Sequence, residues 1–198
     1  MSSDTHIPAR ERADRKRNRD LIVTAARESF ARADAAGQNV SMNEIARAAN
    51  VGIATLYRHF SSRDELADAV YESKLDEVTA RVLDATADQD ALTTLRAWID
   101  QYASFMLATR GMMDTLRAAW QSTKASTSPT TAKIARIIDD LLVAGAREGT
   151  IRDDVDALDV TIAILGLLST TAPEDTGDRA RRLLNLLADS LSVQGGVL

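Results

Sequence analysis

The sequence predicts an all-α fold of about nine helices, and three observations support that prediction. Apolar residues recur three and four positions apart along most of the 198 residues, which is the spacing of one helix face. Alternating apolar and polar runs bounded by Asn-Gly or Asp-Gly turns, the pattern of β-hairpins, are missing from the sequence. Three prolines and nine glycines impose few breaks, so long helices are permitted.

Composition excludes several classes of protein and site. With 45% hydrophobic and 27% charged residues, the chain has the composition of a globular protein. The absence of cysteine excludes a disulfide framework, a cysteine zinc site and a thiol nucleophile. Two histidines leave little material for a transition-metal centre, so we expect neither a metal nor a cofactor.

The net charge of −5 is unevenly distributed along the chain. Residues 1–63 carry 11 Lys and Arg against 7 Asp and Glu, whereas residues 64–198 carry 13 against 22. The first segment is therefore basic by 4 charges and the second is acidic by 9. This asymmetry predicts a basic head that meets a polyanion and an acidic body that does not.

The chain begins with a basic segment and a first amphipathic helix. Residues 1–17 are polar and are predicted to be a flexible basic arm. The cations of this arm are Arg10, Arg12, Arg15, Lys16 and Arg17. The first helix is expected over about 18–35, before Gly37, because its apolar residues share one face. These apolar residues are Leu21, Ile22, Ala25, Ala26 and Phe30.

Two capping boxes mark the starts of later helices. The segment Ser41-Met42-Asn43-Glu44 predicts a second helix from Ser41, and Asn50-Val51-Gly52 breaks it. A short third helix is expected over about 53–59. The segment Ser62-Arg63-Asp64-Glu65 then predicts a long fourth helix that reaches about Thr86.

Five further helices are predicted from apolar residues at helical spacing. They span about 90–109, 112–124, 130–148, 156–170 and 178–193. The helix over 156–170 is apolar nearly all round, and the helix over 178–193 has a wide apolar stripe. Both helices therefore need partners, either within the same molecule or in a second copy of the chain.

Residues 41–66 combine a helix, a tight turn and a second helix. The small residues Ala46, Ala49 and Gly52 allow the two short helices to cross closely. A helix-turn-helix presents its second helix to the major groove of DNA. The polar side chains of that second helix are Thr55, Tyr57, Arg58 and His59.

This block resembles the DNA-binding domain of the tetracycline-repressor (TetR) family of bacterial transcriptional regulators. The resemblance rests on Ile45-Ala46, Val51-Gly52, Thr55-Leu56-Tyr57-Arg58-His59-Phe60 and Arg63-Asp64-Glu65-Leu66. It covers about residues 18–70, whereas the rest of the chain agrees in length and helix count. The resemblance implies a helix-turn-helix DNA-binding domain over 18–62 and a ligand-binding and dimerisation domain over 63–198.

A member of this family is expected to be a regulator, usually a repressor, that binds a palindromic operator in double-stranded DNA as a homodimer. The residues expected to contact DNA are Ser41, Arg47, Gly52, Ile53, Thr55, Tyr57, Arg58, His59 and Arg63. Two interpretations stay open for His59, a phosphate neighbour or a capping residue, and Phe60 is expected in the core. The residues expected in the dimer interface are Ile162, Leu165, Leu183, Leu184, Leu187 and Leu191.

Aromatic residues and methionines cluster in the fifth and sixth predicted helices. These residue types are common linings of apolar cavities, and ordinary core packing is the alternative interpretation. The expected lining residues are Trp98, Tyr102, Phe105, Met106, Met113, Leu116 and Trp120. With the resemblance, this cluster predicts a pocket for a small apolar effector that releases the DNA.

Two other functions are possible, an enzyme and a helical scaffold without specific DNA binding. Neighbouring carboxylates such as Asp139-Asp140 point about 100° apart on a helix, and glycine-rich phosphate loops and G-x-S-x-G elbows are missing. We therefore expect no catalytic residues. The basic head favours DNA binding over a scaffold, and a dependence of DNA affinity on salt would separate the two.

The longest apolar run, from Ile162 to Leu168, is too short to cross a membrane. The first residues lack the apolar stretch of a signal peptide. We therefore expect a cytoplasmic protein with no membrane contact.

Overall fold

The computed structural model describes residues 9–36, 40–108, 129–170 and 177–193, and these ranges are helical with short connections. The described helices are α1 (Ala9–Ala36), α2 (Met42–Ala48), α3 (Ile53–His59), α4 (Arg63–Ala85), α5 (Ala91–Ala108), α6 (Pro129–Glu148), α7 (Ala157–Thr170) and α8 (Asp178–Leu191). Eight of the predicted helices are thereby confirmed. The helix predicted over about 112–124 lies outside the described residues.

The first helix begins earlier than predicted. α1 starts at Ala9, so the segment expected to be a flexible arm is helical from that residue onward. The reason is composition: residues 9–17 are mostly Ala, Arg, Lys and Glu, which have high helix propensity. Polarity suggested a solvated arm, but a polar segment of good helix formers can extend a helix that is anchored further along the chain.

The predicted capping boxes are confirmed at one helix and shifted at the other. At α2, the Ser41 hydroxyl accepts from the Glu44 N–H at 3.3 Å, and the Ser41 N–H donates to Glu44 Oε2 at 2.7 Å. At α4, the Ser62 hydroxyl accepts from the Glu65 N–H at 3.1 Å. The Glu65 carboxylate, however, bonds the backbone and hydroxyl of Ser61 rather than the Ser62 backbone.

The first three helices enclose a small apolar core. α1 packs against α2 and α3, and α2 packs against α3. The large side chains at the centre are fully or almost fully buried. They are Ile22, Phe30, Ile45, Leu56 and Phe60. The predicted core position of Phe60 is thereby confirmed.

The chain divides into two compact units, Met1–Ser73 and Lys74–Leu198. This division lies inside α4, later than the boundary at residue 62 that the sequence suggested. The first part of α4 belongs to the first unit, where Leu66 and Val70 are buried. Below, the first unit is called the head and the second the body.

The body is a set of packed helices closed by a short backbone contact. α5 packs against α6, α7 and α8, and α7 packs against both α6 and α8. After α6, Gly149 has a φ of +72°, the left-handed conformation that commonly ends a helix. The chain then runs beside the end of α8, where the Arg152 N–H donates to the Leu191 carbonyl at 2.9 Å.

The surroundings of one carboxyl in the head, that of Asp68 in α4, disfavour its ionised form. Burial raises the pKa of Asp68 above its ordinary value, and the charges of Glu72, Asp64 and Glu65 raise it further. A carboxyl whose pKa is raised by folding lowers stability progressively as the pH rises from the unfolded pKa to the folded pKa, and the penalty is complete above the folded pKa. Below the unfolded pKa, near pH 4, the penalty is absent because both states are protonated.

We expect Asp68→Asn to raise the melting temperature at pH 7 by about 1–2 °C, because it removes this half-buried charge. The gain should shrink as the pH is lowered toward 4, because the penalty fades as the Asp68 carboxyl takes up a proton. Thermal unfolding followed by circular dichroism at both pH values measures it. Asp20→Asn, which removes an exposed carboxylate from the same unit, is the control and should change little. An equal gain at both pH values would contradict the electrostatic explanation.

Candidate nucleic-acid interface

The two faces of α3 have different surroundings. Leu56 and Phe60 lie one turn apart on the inner face and are buried in the head core. Ile53 and Tyr57, also one turn apart, are 37% and 50% exposed. Gly52, Ala54 and Arg58 are exposed as well. Of the predicted contact residues, Ile53, Tyr57 and Arg58 therefore form an outer face that a DNA groove could meet, whereas Thr55 and His59 are half-buried.

The start of α3 leaves its backbone accessible. Gly52 is the N-cap with a φ of −67°, and the helix begins with the Thr55 N–H donating to the Gly52 carbonyl at 2.9 Å. A methyl group at Gly52 would lie 3.9 Å from the Thr55 hydroxyl, an ordinary contact. Neither the backbone conformation nor local packing therefore requires a glycine. Because Gly52 has no side chain, a ligand such as DNA can approach the backbone of the first turn of α3 closely.

The turn before α3 is tight and has one unusual residue. Asn50 has a φ of +53°, a left-handed conformation that asparagine tolerates better than most residues. The Val51 N–H donates to the Ala46 carbonyl at 3.0 Å, which closes the end of α2. The predicted break at Asn50-Val51-Gly52 is confirmed, and it fixes the angle at which α3 leaves α2.

The two DNA contacts predicted at α2, Arg47 and Ser41, differ in the surroundings of their side chains. Arg47 is exposed. The Ser41 hydroxyl already makes two hydrogen bonds with Glu44. It accepts from the Glu44 N–H and donates to the Glu44 carboxylate at 2.8 Å. The backbone N–H and hydroxyl of Ser41 together hold the pKa of the Glu44 carboxyl below its usual range. A phosphate at Ser41 would have to compete with that carboxylate.

Arg63 begins α4 and is half-buried. Its guanidinium carbon lies 5.5 Å from the centre of the Phe30 ring, a cation–π distance. Phe30 belongs to the head core, so this contact ties the start of α4 to α1. The residue predicted to bind phosphate therefore also has a structural contact.

Two cations that the sequence interpretation assigned no specific contact lie near the end of α3. The guanidinium carbon of Arg19 is 5.2 Å from the centre of the Phe60 ring. Burial holds the pKa of His59 below its ordinary range, and the positive charges of Arg15 and Arg19 lower it further. Arg15 and Arg19 are one turn apart, so the helical register of α1 places them together, but the sequence predicts a flexible arm up to residue 17 and therefore misses the pair.

The aromatic cluster predicted to line a pocket lies in α5 and is tightly packed. Trp98 and Tyr102 are fully buried and stacked, with ring centres 5.0 Å apart and planes 8° from parallel. The Trp98 indole N–H donates to the Thr79 hydroxyl at 3.0 Å. Phe105 is buried beside Tyr102, and Met106 is half-buried. The other predicted lining residues, Met113, Leu116 and Trp120, lie outside the described residues.

The predicted interface residues divide between core and surface. Leu184 and Leu191 are 1% and 3% exposed and pack inside the body of this one chain. Leu165, Leu183 and Leu187 are half-buried. Ile162 is 47% exposed, and Leu186, which the sequence interpretation did not select, is 64% exposed.

Within the described residues, no group of three or more His, Asp or Glu side chains could hold a metal ion. The described helices also include none that is long and apolar enough to cross a membrane.

Two family models match the chain. The model described as bacterial regulatory proteins of the tetR family matches residues 22–70, which contain the helix-turn-helix. The model of the SbtR-like transcriptional regulator C-terminal domain matches residues 90–193, about half of the chain. The two matches fall on the head and the body respectively.

The solved structures and curated proteins that resemble this chain are also described as transcriptional regulators. The TetR transcriptional regulator SCO0520 of Streptomyces coelicolor is 30% identical, with a TM-score of 0.61, over 89% of this chain and 99% of that one. A TetR regulatory protein of Mycobacterium vanbaalenii is 29% identical, with a TM-score of 0.58, over 92% and 99%. The HTH-type transcriptional regulator SAR0097 of Staphylococcus aureus is 30% identical over 82 residues. That last match spans 40% of this chain and 41% of the curated relative.

We expect Arg63→Ala to lower the melting temperature by about 1–4 °C, because it removes the cation over Phe30. Arg63→Lys retains a cation and should lose less. Thermal unfolding at neutral pH measures both variants. Arg58→Ala removes an exposed arginine from the same unit and should leave the melting temperature nearly unchanged. Equal losses for Arg63→Ala and Arg58→Ala would argue against the ring contact.

Proposed function

The chain belongs to the TetR family of bacterial transcriptional regulators, and from that premise we propose that it is a ligand-responsive repressor. As a homodimer it binds a palindromic operator in double-stranded DNA, which sets its place of action at the chromosome in the cytoplasm. A small apolar effector releases it. The observation that supports this proposal most directly is the outer face of α3, where Ile53 and Tyr57 are exposed while Leu56 and Phe60 anchor the helix.

Contacts to phosphate dominate this proposed DNA interface. The hydroxyls of Tyr57 and Thr55 and the guanidinium groups of Arg47 and Arg58 can each meet phosphate oxygens, which fix orientation without reading sequence. Direct base recognition is thin because Gly52, Ile53 and Ala54 offer no hydrogen-bonding side chains. Ile53 can contact a thymine methyl group in the major groove. Sequence preference therefore depends partly on the shape and deformability of the operator.

Apolar surface on α7 and α8 supports a dimer. Leu158, Ile162 and Leu165 follow one face of α7 and are exposed or half-buried in the single chain. Leu183, Leu186 and Leu187 do the same on α8. A second copy covering both stripes would remove this surface from water. Two heads of such a dimer would read half-sites about 34–36 Å apart, or a multiple of that spacing.

The proposed effector site adjoins the aromatic cluster of α5. Trp98 and Tyr102 are stacked and fully buried, so they give this region a rigid core, and half-buried Met106 offers an adaptable thioether that suits an irregular apolar ligand. Release of DNA requires that the effector bind the released arrangement of the dimer more tightly than the DNA-bound arrangement. Tight binding to both arrangements alike would change nothing.

Selection from genomic DNA tests the proposed function. The purified protein is mixed with sheared DNA of its own organism at near-physiological salt, and the retained fragments are sequenced. We expect a palindromic sequence to be enriched. Protein that has been unfolded and refolded to remove any bound ligand is the control for a released state. If that protein also retains no sequence above background, specific DNA binding is wrong and the helical scaffold becomes the better proposal.

We expect Tyr57→Phe to weaken binding to the selected operator by about 2–10-fold, which corresponds to the loss of one hydrogen bond. The ring is retained and the residue is half exposed, so the melting temperature should not change. Fluorescence anisotropy with labelled operator measures the affinity. Unchanged affinity would remove Tyr57 from the proposed phosphate contacts.

We expect Ile162→Glu and Leu186→Glu each to weaken dimerisation by about 100-fold or more, because each would bury an unpaired charge in the interface. Both side chains are exposed in the single chain, so the fold of the protomer should survive. Sedimentation velocity over a range of concentrations measures the dimer. Leu83→Glu, at a 48% exposed site on α4, is the matched control and should remain dimeric. If both test variants dimerise as strongly as the wild type, these stripes are not the interface.

A further inference from the structure

Basic and imidazole groups from two helices converge beside the end of α3. Arg15 and Arg19 are one turn apart on α1, and both are exposed. Arg19 lies over the ring of Phe60, and the ring centres of Phe60 and His59 are 6.4 Å apart. His59 is the last residue of α3 and is half-buried. We call Arg15, Arg19 and His59 the α1–α3 cluster.

The cluster lacks a close counter-charge from the described part of the protein. Arg19 influences the pKa of the Glu65 carboxyl, but that carboxylate bonds the backbone and hydroxyl of Ser61. Among the described residues no carboxylate lies within salt-bridge distance of Arg15 or Arg19. Like charges held near each other raise the free energy of the protein, and an external anion would lower it.

The α1–α3 cluster lies where a phosphate of bound DNA is expected. A recognition helix meets base edges near its N-terminal end, so its C-terminal end approaches the phosphates that border the groove. His59 occupies that C-terminal end, Arg19 of α1 lies over the neighbouring Phe60 ring, and Arg15 is one turn before Arg19 on the same helix. Arginine side chains form strong, charge-assisted hydrogen bonds with phosphate.

We propose that the α1–α3 cluster is a phosphate-binding site for the DNA backbone and that it makes DNA affinity depend on pH. This inference rests on the proposed function, because DNA supplies the phosphate. It assigns to α1 a direct contact with DNA in addition to its role in the core of the head.

The direction of the pH dependence follows from the surroundings of His59. In the free protein, burial together with Arg15 and Arg19 from α1 favours the neutral imidazole at pH 7. A phosphate beside the cluster favours the imidazolium instead, so DNA binding takes up a proton from solvent. By linkage, affinity rises as the pH falls through the interval between the pKa values of the free and bound states, by at most about tenfold per pH unit.

The first experiment measures affinity for a mixed-sequence DNA duplex of about three helical turns at several pH values and salt concentrations. We expect wild-type affinity to rise about 3–10-fold between pH 8 and pH 6 at constant salt. His59→Gln should remove this rise. His6→Gln, which changes the other histidine of the sequence, is the matched control and should retain it.

The salt dependence tests the arginines. We expect Arg15→Ala to reduce the slope of log affinity against log salt by about 0.9, the value of one phosphate contact. Arg27→Ala is the matched control, since Arg27 lies on the same helix about 12 Å beyond Arg19. It should leave the slope unchanged.

A second experiment needs no DNA. Proton NMR titration gives the pKa of His59 in the free protein and with sulfate at constant ionic strength. We expect sulfate to raise the pKa of His59 in the wild type and to raise it less in Arg15→Ala. In the absence of sulfate, Arg15→Ala alone should raise that pKa, because one of the two positive charges is gone.

The outcomes separate this inference from the proposed function. If the wild type binds DNA but neither variant changes the pH or salt dependence, the cluster site is wrong and DNA binding stands. If sulfate shifts His59 but duplex DNA does not bind, the anion site stands and the proposed function falls. If neither DNA binding nor a sulfate shift is found, both are wrong.

Discussion

The proposed DNA-binding surface depends on how α3 is held by its inner face. A helix of seven residues is too short to be stable alone, so α3 exists because tertiary contacts bury Leu56 and Phe60. The tight turn through Asn50 and the N-cap at Gly52 then set where the helix begins and the direction in which it runs. Once the inner face is fixed, Ile53 and Tyr57 have one orientation toward solvent. Binding residues with little freedom lose little entropy when they meet DNA.

Phe60 couples the core of the head to its charged surface. Its ring is buried, yet Arg19 lies over it and His59 is its neighbour. Arg63 has a comparable relation to Phe30 at the start of α4. In both places an aromatic side chain that stabilises the fold also positions a cation at the surface. A substitution at either arginine therefore changes stability and surface charge together.

The body divides its apolar residues between an internal core and open stripes. Trp98, Tyr102, Leu184 and Leu191 are buried within one chain, whereas Ile162 and Leu186 remain exposed. A close approach contributes to the core, because a side chain at Gly145 would overlap Ile151. In the proposed dimer, a second copy would cover these exposed stripes without any rearrangement of the protomer.

Local patterns in the sequence determined the helices, the capping box at Ser41 and the turn before α3, since these depend on residues within a few positions of each other. They also supplied the family resemblance that the comparisons bear out. Tertiary structure decided which leucines of α8 point inward, because Leu183, Leu184, Leu186 and Leu187 are equally apolar and differ only in what packs against them. It also decided that Arg19 lies over the ring of Phe60, next to His59, and that Arg15 and Arg19 influence the pKa of His59. Those groups are some forty residues apart in the chain, and no local pattern records a distance of that kind.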